Sequence, residues 1–327
     1  MLKHIIKPCI HRAVASIAVA TLAGLGACTT SGTISEPSQN FNSRVSIIVI
    51  HHTTADFDDS LHILTQPSSN PVSSHYLIPE PDDTSYDKTK LQVHRLVPEE
   101  GRAWHAGVSH WAGKSGLNDQ SIGIELVNQT YCHHSTTIYE ETDQPARRIC
   151  FFPDFADSQV ALLVDLLGEI KQRHPDVPPT HIVGHADIAP DRKIDPGPRF
   201  PWQRLYRLGY GAWYDDETVI RYWEQFTQQA MPVANVQSAL KAYGYGIEVT
   251  GILDQQTKNV LRAFQMHFRP SRVSSEATTE TVAVLYALIE KYYPDQLDEL
   301  LHVDDEPEAA PDPGPGPEAD LDPAKQA

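Results

Sequence analysis

Basic residues are scarce in this 327-residue chain: 26 Lys+Arg stand against 43 Asp+Glu, a formal net charge of −17. They are also not clustered, which excludes a role in tracking phosphate backbones, so nucleic acid is not an expected partner. No apolar run beyond the N-terminus is long enough to span a bilayer. Acids are missing from the first 27 residues, which carry Lys3, Lys7 and Arg12; without that segment the balance is 23 basic against 43 acidic. Cysteine is limited to four positions. What is present, 40% hydrophobic residues, suffices to bury a core in about two domains and is neither collagen-like nor disordered in composition.

The basic start is followed by an apolar stretch from Ala13 to Ala23, too short for a transmembrane helix and right for the core of a signal peptide. It ends in Leu25-Gly26-Ala27-Cys28, which resembles the lipobox of bacterial lipoproteins. The resemblance implies a signal peptide over 1–27, lipidation of Cys28, and membrane attachment through that lipid anchor only. Thr29, in place of Asp, implies the outer membrane, facing the periplasm. A cleaved signal that leaves Cys28 a spare thiol is the plainer alternative. Residues 28–44 read as a tether. Cys9 leaves with the signal, so Cys132 and Cys150 are the pair left in an oxidising compartment, and a disulfide between them is expected. Two free thiols remain the alternative, because sequence does not bring two Cα atoms within bridging range.

Two folded units follow. Over 45–215, strand-like and helix-like stretches alternate. Val45–Ile50 is a continuous β-branched run of the kind found in buried central strands, Ser121–Val127 is a second, and His181–His185 is a shorter third. Between the last two, Asp157–Arg173 places Val160, Leu163, Leu166, Leu167 and Ile170 at helical spacing. Buried strands separated by helices predict an α/β layered domain. The second unit, 230–295, contains an echo: Val249–Thr257 aligns with Val273–Thr281, each a turn and helix cap leading into apolar helical spacing. Over 302–327, eight acids and one Lys lie among Pro and Gly, a composition that cannot bury enough apolar area to fold.

The chemistry is expected at strand ends. His51 and His52 follow the first strand, and alternation lets only one of them face a given site. His185 ends the third strand, and Asp195 lies ten residues on. Two imidazoles and a carboxylate with an open position form a catalytic zinc set. Spacing alone does not single these residues out among 16 histidines. Glu125 lies inside an apolar strand, where a carboxylate is costly unless paired, protonated or near a cation. It reads either as the end of an exposed edge strand or as a general base beside a metal.

Six stretches in order resemble the zinc-dependent N-acetylmuramoyl-L-alanine amidase family, whose fold is shared with peptidoglycan recognition proteins. They are Val49–Thr54, Ser73–Leu77, Ala103-Trp104-His105-Ala106-Gly107, Ser121–Leu126, Gly184–Pro190 and Arg192–Pro198. The resemblance implies a central mixed sheet with flanking helices and a Zn2+ held by His51, His185 and Asp195. It further implies Glu125 as catalytic acid/base and Lys193 as oxyanion stabiliser. The implied reaction cuts the amide between N-acetylmuramic acid and L-alanine in peptidoglycan or muropeptides, performed by a monomer. A non-catalytic peptidoglycan-binding protein of the same fold is the rival reading, and the complete ligand set speaks against it. His105 is expected to line the substrate groove; Trp104 is assigned to that rim or, preferentially, to core packing. The second histidine, His52, would face the metal if the strand register slipped by one. Ser74 stands near where some relatives use Tyr, and Gln129–Ile149 is longer than expected. Val236–Leu240, Tyr243–Tyr245 and Arg262–Gln265 resemble a three-helix peptidoglycan-binding module. Thr250-Gly251 and Ser274-Ser275 replace its usual Asp-Gly, so the module either binds peptidoglycan or is a structural appendage.

Overall fold

The computed structural model describes residues 35–36, 38–40, 43–134 and 148–302. The stretch expected to be a signal peptide, Cys28, most of the expected tether and the acidic stretch from 303 onward lie outside the described residues. The fold below is that of the described residues from Ser43 onward, which belong to one unit.

The elements run β1 (Ile47–His52), α1 (Phe57–Thr65), β2 (Tyr76–Ile78), β3 (His94–Arg95), β4 (His110–Trp111), β5 (Lys114–Ser115) and β6 (Ser121–Leu126). There follow β7 (Tyr131–His134), β8 (Arg148–Phe151), α2 (Asp157–Arg173), β9 (Ile182–Gly184) and α3 (His185–Ile188). The chain ends in helices: α4 (Trp202–Arg207), α5 (Asp216–Gln228), α6 (Val233–Tyr243), α7 (Gln255–Phe268), α8 (Thr279–Tyr292) and α9 (Leu297–Leu301). The main sheet has the order β3-β2-β6-β1-β9. β2, β6, β1 and β9 pair in parallel and β3 is antiparallel, which makes the mixed sheet with flanking helices that the sequence implies. All six residues of β1 are buried, as a central parallel strand covered on both faces requires.

Helix α2 has the expected bounds and buries Val160, Leu163, Leu166, Leu167 and Ile170, each worth ~1.5–3 kcal/mol of transfer from water. Gln159 lies on the same face, wholly buried. Its amide donates to the carbonyls of Ile78, Pro79 and Val127, tying α2 to the ends of β2 and β6. The third strand is shorter than the spacing suggests. His181 belongs to a 3-10 turn, and His185 does not end the strand but opens α3, because Gly184 is the N-cap of that helix.

The hydrophobic core runs without a break from the sheet into the C-terminal helices. Trp111 packs edge-on against Tyr243 and Tyr245, Trp213 lies against Phe268, and Trp202 stacks on His267 with centroids 3.8 Å apart. Tyr222 and Phe226 of α5 pack on Tyr286 of α8, so α5 joins the three helices α6–α8 in one bundle. The echo seen in the sequence has a shared mechanism. Gln237 of α6 accepts from the amides of Thr250 and Gly251 and donates to the Ile252 carbonyl and to Thr257. Gln265 of α7 does the same for Ser274, Ser275, Glu276 and Thr281. Gly251 and Ser275 take the same left-handed conformation, φ 72° and 63°, and Asp254 and Thr278 cap the helices that follow.

Candidate functional site

Parallel strands present their carboxyl ends on one side of the sheet, and the polar residues converge there. The β1–β6 register pairs His51 with Glu125, so both side chains leave the sheet toward the same cavity, of about 450 Å³. His185 enters from the start of α3, and Asp195 from the loop after it. His51 Nδ1 lies 2.9 Å from His185 Nδ1 and 3.1 Å from Asp195 Oδ2, and His185 Nδ1 lies 3.0 Å from that same oxygen. These three side chains are the metal-capable cluster found among the described residues, and each is buried.

The donor set suits a cation. His185 Nε2 donates to the Ala106 carbonyl at 3.2 Å, with Nδ1 turned toward His51 and Asp195. Burial first, and then the charge of His185, push His51 down to about 4, so it is neutral at pH 7. Burial would raise Asp195, but the charge and hydrogen bond of His185, and then those of His51, hold it well below the carboxylate range. Two imidazoles and a carboxylate thus converge on one point, the donor set that a Zn2+ site uses.

Glu125 is half-buried, and its Oε2 is buried with no hydrogen-bond partner among the described residues. Burial first, and the negative charge of Asp195 second, raise it to about 8, with Lys193 opposing. Lys193 and Arg192 line the same cavity. Arg192 is fastened to the carbonyls of Ala106 and Val108.

His52 turns away from the triad, and its Nδ1 donates to the Pro196 carbonyl at 3.0 Å, so the alternation resolves in favour of His51. Trp104 is not a core residue: it is 48% exposed and forms, with Ile63 and Val72, an apolar rim to the cavity. Core packing fails there because the following residue, His105, takes the inward position. His105 is buried against the back of His51. Ser74 is fully buried and donates to the Gly123 carbonyl, and His75, without a role in the sequence reading, accepts from the Gly123 amide. Cys132 and Cys150 face each other across the β7–β8 hairpin and form a disulfide, with Cys132 and Thr130 on the cavity wall. Residues 135–147 of the long insertion lie outside the described residues. A larger cavity of about 870 Å³ lies between the sheet domain and α7, and no member of the triad lines it.

Comparison with known proteins agrees with this geometry. Residues 41–198 match the N-acetylmuramoyl-L-alanine amidase family, and residues 229–285 match a peptidoglycan binding domain. The chain is 40% identical over 250 residues to the N-acetylmuramoyl-L-alanine amidase AmiD of Escherichia coli, covering 76% of this chain and 84% of that one. The crystal structure of AmpDh3 from Pseudomonas aeruginosa in complex with anhydromuramic pentapeptide superposes with a TM-score of 0.71 at 44% identity, covering 79% of this chain and 96% of that one. The complex of Escherichia coli AmiD with anhydro-N-acetylmuramic acid-L-Ala-D-gamma-Glu-L-Lys gives 0.65 at 39% identity, covering 79% and 93%. With this identity over most of both chains, and the family match over 41–198, the chain belongs to the N-acetylmuramoyl-L-alanine amidase family.

Proposed function

We propose that the chain is a zinc amidase that frees stem peptides from N-acetylmuramic acid in peptidoglycan or in muropeptides, working from the periplasmic face of the outer membrane. The convergence of His51 Nδ1, His185 Nδ1 and Asp195 Oδ2 within 3.1 Å carries this reading. A zinc ion held there supplies Lewis acidity and makes water a nucleophile near neutral pH. Glu125, in the same cavity with a buried Oε2 that no described residue satisfies, does the proton work. It takes a proton from the attacking water and returns it to the leaving amine of L-alanine. Lys193, on the cavity wall, offers positive charge where the amide oxygen becomes negative. Trp104, Ile63 and Val72 offer the substrate an apolar rim.

The N-terminal lipobox supports an anchored location, and the Cys132–Cys150 disulfide fits an oxidising compartment. The module matched over 229–285 supports contact with peptidoglycan. Metal analysis tests the assignment: the purified chain holds one zinc and Asp195→Ala loses it. A wild-type chain that takes up no zinc refutes the reading.

A further inference from the structure

Helix α3 is a single turn, His185–Ile188, and a turn that short does not hold its own shape, so contacts from outside must fix it. Its first residue is the metal-capable His185. The amide of its second, Ala186, donates to the Asp195 carbonyl at 2.8 Å. The amides of Arg192 and Lys193 donate to the Ala189 carbonyl just after the turn, at 3.2 and 3.0 Å. The place of this one turn therefore sets His185 and Asp195 relative to each other, and Lys193 with them.

Much of what fixes the turn comes from the C-terminal module. Asp187, the third residue of α3, is buried and does not line the cavity. Its Oδ2 accepts from the Gly184 amide, which closes the turn on itself, and from His267 Nδ1 of α7, each at 2.7 Å. Its Oδ1 accepts from the hydroxyl of Tyr245, in the loop after α6, also at 2.7 Å. Arg262 of α7 donates to the Pro190 carbonyl at 2.8 Å. The two clamping side chains are themselves held, His267 flat on Trp202 and Tyr245 edge-on against Trp111. All three module residues lie within the stretch matched as a peptidoglycan binding domain. A module that only tethered the chain to its substrate would need none of these contacts, since a linker suffices for that.

We propose that the C-terminal module positions the metal centre: His267 and Tyr245, acting through Asp187, are positioning residues for His185 and, across the Ala186–Asp195 bond, for Asp195. This rests on the metal reading above. It gives the module a role besides binding peptidoglycan or serving as an appendage.

Two readouts on the full chain separate this coupling from a plain loss of stability: zinc affinity by chelator competition, and amide hydrogen exchange over 184–189 in the metal-free chain. His267→Ala is expected to weaken zinc binding about 10–100-fold and to speed exchange in the turn. His267→Asn, whose side-chain amide puts an N–H near where Nδ1 was, stays within about threefold of wild type in affinity. Tyr245→Phe keeps the packed ring, loses only the hydroxyl, and moves both readouts in the same direction as His267→Ala. Gln237→Ala loosens the same module without touching Asp187, so it lowers the denaturant midpoint and leaves both readouts at their wild-type values. Wild-type zinc affinity in His267→Ala and Tyr245→Phe, no advantage of Asn over Ala, or equal weakening in Gln237→Ala overturns the proposal. A wild-type chain that takes up no zinc refutes the metal reading, and exchange in the turn then decides the clamp alone. Faster exchange in His267→Ala than in Gln237→Ala upholds it, and equal exchange refutes it.

Discussion

His51 and Glu125 are register partners on the parallel strands β1 and β6, so a candidate ligand and the candidate base leave the sheet side by side. Parallel neighbours point to the same face. A one-residue slip of β1 would turn His51 away from the cavity and put His52 in its place. The buried hydrophobic run before each residue makes that slip costly, which is how two apolar strands fix a polar site.

Glu125→Gln keeps the size and burial of the side chain and removes its proton exchange. The variant is expected to hold zinc as wild type does and to lose about 10²–10⁴-fold in kcat. Steady-state hydrolysis beside metal analysis checks it, and near-wild-type turnover reassigns the base.

Glu99 sets an acid limit on stability. Burial works to raise it, but hydrogen bonds from Arg173, then Tyr76 and His174, hold it at about 2 instead of 4.5. A carboxyl whose folded value is depressed stabilises the fold above its unfolded value and loses that contribution as pH falls through the folded one. Wild type should therefore be more stable than Glu99→Gln at pH 7, with the gap closing between pH 4.5 and 2. Urea melts across that range measure it.

Asp187 ties the two halves of the unit together. Its carboxylate accepts from His267 Nδ1 and the Tyr245 hydroxyl, each at 2.7 Å, and from the Gly184 amide, while buried to 2% exposure. Asp187→Ala strands three buried donors and should cost roughly 3 kcal/mol or more, whereas Tyr245→Phe should cost about 1 kcal/mol. Denaturant midpoints of the two variants decide it.

The paired glutamines give an internal control. Gln237→Ala and Gln265→Ala each leave two loop amides without their acceptor, at a cost of about 2 kcal/mol or more. Because the two clamps are alike, the two losses should be similar, as thermal unfolding of both variants will show.

Cys28 carries the proposed location. Cys28→Ser should release the exported chain from the membrane fraction into the soluble periplasm, and persistent membrane fractionation removes the lipid anchor.

Much of this was legible in the sequence where a single strand or helix carries the information. The apolar runs announce β1 and β6, the helical spacing gives the bounds of α2, and a carboxylate inside such a run draws the eye to Glu125. His185 was placed one element early because a three-residue strand running straight into a helix has too short a pattern to mark its end. Of the two readings of Trp104 the rim holds and core packing does not, because an aromatic beside a buried histidine reads as core until the strand behind it shows which of the two points inward. His105 and Ser121 touch residues that no local pattern relates to them. Asp187 and His267 meet across 80 residues, and Gln237 and Gln265 lie in helices before the loops they clamp. The echo over 249–281 showed a repeat but not the side chain that makes each copy fold.

Mass spectrometry of peptidoglycan digested by the purified chain tests the central claim most directly. Intact stem peptides with a free L-alanine amine should appear, vanish after chelation and return with zinc. Undiminished release after complete removal of metal, or products cut at any other bond, would contradict it.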